Sequence, residues 1–148
     1  MGVWIIPADL GSWEEVSAQM ESELRDNRCP AETAVSIIVA ADEIFANISS
    51  YAYQGGGGLA EIKTRCERLD DGRNEYRLTF SDRGIAFNPC NAPEDEKGTL
   101  ALQKYKSGIQ GGFGIPMIKD KADRLSYQYK NGRNILCFIK YYTPATTE

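Results

Sequence analysis

The sequence predicts an α+β fold, a two-layer α/β sandwich in which three helices stack on one face of a mixed, mostly antiparallel sheet. Three observations predict it. The element order reads β-α-α-β-β-loop-α-β-β, which is not the βαβ alternation of a Rossmann-type sheet. Two pairs of strand-like segments are joined by tight-turn signals, "DDGRN" and Asn131-Gly132, and hairpins make antiparallel neighbours. The chain has 148 residues, 42% hydrophobic and 26% charged, which suits one domain around one core. That domain is expected over residues 1–142, with "TPATTE" at 143–148 as a flexible tail.

Each element has a local cause. "VWIIPA" is a short apolar opening strand. Ser12 can cap a first helix that runs to about Asp26, with Glu14 and Glu15 in its first turn facing the positive end of the dipole. Pro30 and Glu32 open a second helix that runs to about Tyr53 and stops at "QGGGG". Residues 59–69 and 74–81 read as strands; in the second, Tyr76, Leu78 and Phe80 alternate with Arg77, Thr79 and Ser81. Residues 82–110 hold Gly84, Pro89, Pro93, Gly98 and Gly108, and a structureless stretch this long suggests a lid. A third helix is expected from about Gly114 to Arg124, with Ile115, Ile118, Ala122 and Leu125 on one face. "LSYQYK" and "NILCFIKYY" then form the last hairpin.

Composition removes several function classes. With 17 basic and 21 acidic residues the net charge is −4, which does not favour nucleic acid or an anionic membrane as partner. No apolar run approaches the roughly 20 residues that span a bilayer, and "MGVWIIPADL" lacks the basic flank and long apolar core of a secretory signal. Gly2 does not mark a myristoylation site, because Ile6 stands where that motif needs Ser or Thr. Cys29, Cys66, Cys90 and Cys137 are scattered without a C-x-x-C pair, so they read as reduced thiols of a cytoplasmic protein. There is no histidine, which excludes a Ser-His-Asp triad, a histidine-ligated metal and a phospho-accepting histidine on this chain.

On a helical wheel of residues 35–54, Ile37, Ile38, Ala41, Ile44, Phe45, Ile48 and Tyr51 cover a wide apolar arc. Beside it runs a narrow stripe of Ser36, Ala40, Glu43, Asn47, Ser50 and Gln54, with Asp42 well round the helix and expected to be solvated. Glu43 and Asn47 are one turn apart and point the same way. The stripe is either the solvent face of an amphipathic helix or one wall of a site. "SDRGIAFNP" follows a strand, where Asp82 can receive an exocyclic amine such as adenine N6 and Gly84 lets the backbone approach a base; a plain turn is the alternative. "GGFGIP" opens a helix with free N–H groups suited to phosphate, with Pro116 in the first turn.

Taken together, E-x-x-x-N on a helix, D-x-G-x-A-F-N-P after a strand and G-x-G-I at a helix start resemble the N, G1 and G2 boxes of the GHKL (Bergerat-fold) nucleotide-binding superfamily. Within it, "VAADEIFANISSYAY" and "GGFGIPMIKDKADRLSYQYKNGRN" are similar to the anti-sigma-factor serine/threonine kinases, and the resemblance covers nearly the whole chain. It implies ATP and Mg²⁺ as cofactors, Glu43 as general base and Asn47 as magnesium ligand. It also implies a nucleotide-binding set of Asn47, Asp82, Gly84, Ala86 and Phe87 with Gly111, Gly112, Phe113, Gly114 and Ile115, under a lid at 90–110. Relatives that phosphorylate histidine usually carry asparagine where Glu43 stands, so Glu43 favours hydroxyl chemistry. The implied partners are an anti-anti-sigma (STAS-type) protein as substrate and a sigma factor or similar regulator as captive, with a homodimer through the "VWII" edge possible. The alternative is a non-catalytic ATP-binding regulatory module that acts by sequestering its partner.

Overall fold

The computed structural model describes residues 1–53, 57–88 and 115–146. In chain order these form β1 (Gly2–Pro7), α1 (Leu10–Asp26), α2 (Ala31–Asn47), β2 (Leu59–Arg68), β3 (Asn74–Asp82), α3 (Ile115–Lys121), β4 (Arg124–Lys130) and β5 (Arg133–Tyr142). A π-helical turn, Ile48–Ala52, continues α2. The strands make one five-stranded sheet in the order β1-β2-β3-β5-β4, and every pairing in it is antiparallel. The expected α+β sandwich is what forms.

The period-two pattern decides which face of the sheet the helices cover. Ile62, Tyr76, Leu78, Phe80, Leu136 and Phe138 share one face and are buried with Met20, Leu24, Ile37, Ile44 and Phe45 from α1 and α2. Trp13 of α1 stacks on Phe45 at 4.8 Å and leans on Phe80 at 5.8 Å, so one indole ties both helices to the sheet. Ile118 of α3 enters the same core. The opposite face carries exposed ion pairs such as Arg65–Glu67 and Arg77–Glu75.

Some boundaries differ from the sequence expectation. Asp9, not Ser12, caps α1: its backbone is extended, and its carboxylate accepts the Ser12 N–H at 2.8 Å. The third helix ends at Lys121 instead of about 124, because the chain joins the sheet early. Asp123 N–H donates to Ile139 O at 2.9 Å, and the Asp123 carboxylate accepts Tyr141 N–H at 2.7 Å. Leu125 therefore lies in β4. The expectation that no segment is long and apolar enough for a bilayer also needs correction. The helix from Ala31 to Ala52 is 22 residues and passes that test of length and composition. It is apolar because it is the central helix of the core, with Ile37, Ala40, Ala41, Ile44, Phe45 and Ile48 all buried against the rest of the protein.

Candidate functional site

The polar stripe of α2 is not a solvent face. The exposed positions of α2 are Ala31, Glu32, Val35 and Asp42. In the stripe, Ser36 and Glu43 are half-buried, Ala40 is buried and Asn47 is fully buried, with Glu43 Oε2 shielded from solvent. A carboxylate and a carboxamide one turn apart are thus turned into the protein at the end of its core helix. Asp42 corrects the wheel in another way. Although exposed along one side, it accepts a 2.6 Å hydrogen bond from the Trp13 indole N–H, and burial pushes its carboxyl above the ordinary range.

The π-helical turn after Asn47 brings the end of this helix onto the turn after β3. Such widened turns re-aim backbone groups and recur at functional sites. Ala52 O accepts Ile85 N–H at 2.8 Å. Tyr53 OH accepts Arg83 N–H at 2.9 Å while donating to Leu59 O at 2.6 Å. The Tyr51 and Phe87 rings meet edge-on at 5.8 Å. Gly84 is buried here for a steric reason. A methyl in place of its hydrogen would overlap the Ala52 carbonyl, 2.5 Å from its carbon and 2.8 Å from Ala52 Cβ. Ala86 is exposed at the outside of the turn.

Asp82 ends β3 on the helix-facing side, 3% exposed. Its Oδ1 accepts Gly84 N–H at 2.9 Å and Asn134 Nδ2–H at 2.8 Å. Among the described residues no donor meets Oδ2. Burial pushes the Asp82 carboxyl up from its ordinary value of 3.8, opposed by those two hydrogen bonds and by the nearby Arg133 guanidinium. Asn134, which the sequence reading missed, organises the turn. It lies directly across from Asp82 in the β3–β5 register. Its Nδ2 also donates to Ile85 O at 2.8 Å, and its Oδ1 accepts from Phe87 N–H at 3.0 Å and from Tyr127 OH. One buried carboxamide thereby fixes Asp82, Ile85 and Phe87 together. The one trace of it in the sequence is a lone amide at the head of an apolar strand.

The structure thus gathers Glu43, Asn47, Asp82, Gly84 and Phe87 onto two stitched segments. Gly111, Gly112, Phe113 and Gly114, and the lid expected at 90–110, lie outside the described residues. Ile115 is the first residue of α3. That helix packs on the earlier part of α2, where Lys121 Nζ donates to Ser36 Oγ at 3.3 Å.

An antiparallel sheet roofed on one face by helices, with this order of elements, is the α+β sandwich of the GHKL class. More narrowly, the chain belongs to the histidine kinase-like ATPase domain family, whose profile matches residues 6–140. It is 29% identical over 121 residues to the serine/threonine-protein kinase BtrW of Bordetella bronchiseptica, covering 82% of this chain and 79% of the relative. Its fold is similar to that in the SiaB–SiaC complex of Pseudomonas aeruginosa, with a TM-score of 0.56 and 16% identity over 96% of this chain and 90% of that one.

Proposed function

We propose that this protein is an ATP- and Mg²⁺-dependent protein serine/threonine kinase. Its substrate is a small anti-anti-sigma (STAS-type) protein, and in its ATP-bound state it holds a sigma factor or similar regulator. The carrying observation is the inward stripe, in which half-buried Glu43 and fully buried Asn47 end the core helix that is clamped to the Asp82 turn. The relationship to a serine/threonine kinase supports the acceptor class.

The residues present fit the two cofactors. Among the described residues both donors to Asp82 meet Oδ1, which leaves Oδ2 to receive the exocyclic amine of adenine. Among the described residues no group of three or more acidic, histidine or cysteine side chains is placed to hold a metal ion. Magnesium would therefore rest on the Asn47 carboxamide oxygen together with phosphate and water oxygens, the sparse oxygen set this ion accepts. ATP, when bound, supplies the phosphoryl group. A serine hydroxyl is a weak nucleophile at neutral pH, and Glu43 takes its proton as it attacks; a positioned base of this kind contributes about 10²–10⁴-fold.

Glu43→Ala tests this directly. Transfer from radiolabelled ATP to a STAS-type acceptor should collapse while ATP still binds; unchanged transfer would remove Glu43 from its role. Absence of any transfer by the native chain, with ATP bound, would favour the non-catalytic module. We place the protein in the cytoplasm, consistent with free thiols at Cys29, Cys66 and Cys137. A second copy is proposed at the β1 edge, where Val3 and Ile5 are 53% and 62% exposed, and sedimentation equilibrium decides it.

A further inference from the structure

We propose that the outer groove between α1 and α2 is a docking site for a basic amphipathic helix of a partner protein. Two cavities of about 420 and 320 Å³ adjoin along this helix crossing and share Glu21 as a common wall. They exist because the residues along the crossing are small: Ala18 and Ala46 line the first, Ala31 and Ala34 the second. Large apolar side chains stand open to solvent in both, Leu10 in the first at 44% exposure and Val35 in the second at 62%. From Leu10 to Arg25 the groove runs about 22 Å, the length of roughly four helical turns.

The charge along this groove names the occupant. Among the described residues, Glu14, Glu21 and Asp42 line it against one cation, Arg25. None of these four belongs to an ion pair among the described residues. Glu21 and Asp42 face each other across the helix pair closely enough that Glu21 adds to the upward push of burial on the Asp42 carboxyl. Two carboxylates repelling one another beside an apolar floor favour a ligand that brings cations and apolar side chains together. An amphipathic helix with leucine-type residues at i, i+3, i+4 and i+7, flanked by Lys or Arg, meets both demands. The opposite face of the sheet lacks this match, because its carboxylates Glu61, Glu67 and Glu75 are already paired with Lys63, Arg65, Arg77 and Arg133. Asp42 and Glu43 are consecutive, so groove and candidate pocket lie on adjoining sides of α2, but the inference does not require the pocket to bind nucleotide.

The test uses the full chain without nucleotide and a fluorescein-labelled peptide of about 18 residues with a leucine stripe between lysines. Its control is the same peptide with glutamate for every lysine. Anisotropy should show saturable binding of the cationic peptide only, weakening with added salt. The double variant Glu14→Lys, Glu21→Lys should weaken binding by about tenfold or more, since each reversal turns an attraction into a repulsion. Glu67→Lys with Glu75→Lys, on the far face of the sheet, should leave it unchanged. Circular dichroism confirms that each variant is folded, and Val35→Lys, at an exposed site, provides a second weakening variant. Three results would overturn the inference: no saturable binding, equal loss from the far-face pair, or a doubled mass that Val35→Lys abolishes, which would make the occupant a second copy.

Discussion

Gly84→Ala is the sharpest test of how the Asp82 turn is held against the end of α2. The added methyl would collide with the carbonyl of Ala52, 2.5 Å from its carbon, which is backbone and cannot rotate away. Gly84 is not among the positive-φ glycines, so the penalty is steric and not conformational. Forcing a methyl into a filled site costs about 1–3 kcal/mol. Pushing the turn off α2 also breaks the 2.8 Å bond from Ile85 N–H to Ala52 O, worth about 1 kcal/mol. The sum, about 2–4 kcal/mol, corresponds to a fall in Tm of roughly 5–15 °C for a domain of this size. Thermal unfolding without nucleotide measures it. If Gly84 served only to admit a base, the variant would melt like the native protein and lose affinity alone. A Tm within about 1 °C of native would refute the packing argument.

Other consequences follow from the same geometry. Asn134→Ala strips four hydrogen bonds from a buried site and should cost about 2–4 kcal/mol by urea unfolding, with weaker ATP binding by calorimetry. Tyr53→Phe removes the hydroxyl between Leu59 O and Arg83 N–H; a loss of about 1–2 kcal/mol is expected, and no change in the urea midpoint would count against the clamp. Because burial raises the Asp82 pKa above 3.8, the folded state holds that proton more tightly than the unfolded chain does. Its contribution to stability is present below that pH and declines as pH rises through the folded value. Asp82→Asn should therefore gain in Tm relative to native at about pH 7 compared with about pH 4, and a gap that does not widen with pH would contradict this. Cys29, pushed up to about 11 by burial and by the neighbouring Cys66, should resist iodoacetamide at about pH 8 until the protein is unfolded.

Local patterns carried much of the fold into view. The last hairpin follows from Asn131-Gly132, whose φ values of 54° and 76° are those the tight turn needs. The apolar arc of α2 is buried as its wheel implies. Glu43 and Asn47 share one side of α2 because helical spacing alone puts them there. What escaped depends on partners far away in sequence. Asn134 acquires its role from a register with Asp82 across 52 positions, and no local signal sets the order in which two hairpins pair. Asp42 looked solvated because a wheel shows one helix, whereas the indole that binds it comes from α1. The choice between Asp9 and Ser12 as cap rests on backbone angles at positions three apart, both with suitable side chains. The role given to Gly84 shifted for the same reason: the group that needs its missing Cβ is a carbonyl at the end of α2.

The central claim is that Asp82 and the end of α2 enclose one adenine nucleotide, and isothermal calorimetry of ATP with Mg²⁺ addresses it directly. The native chain should bind one equivalent, with Asp82→Asn weaker by about tenfold or more while remaining folded. No heat at millimolar ATP, or equal affinity in the two proteins, would contradict it.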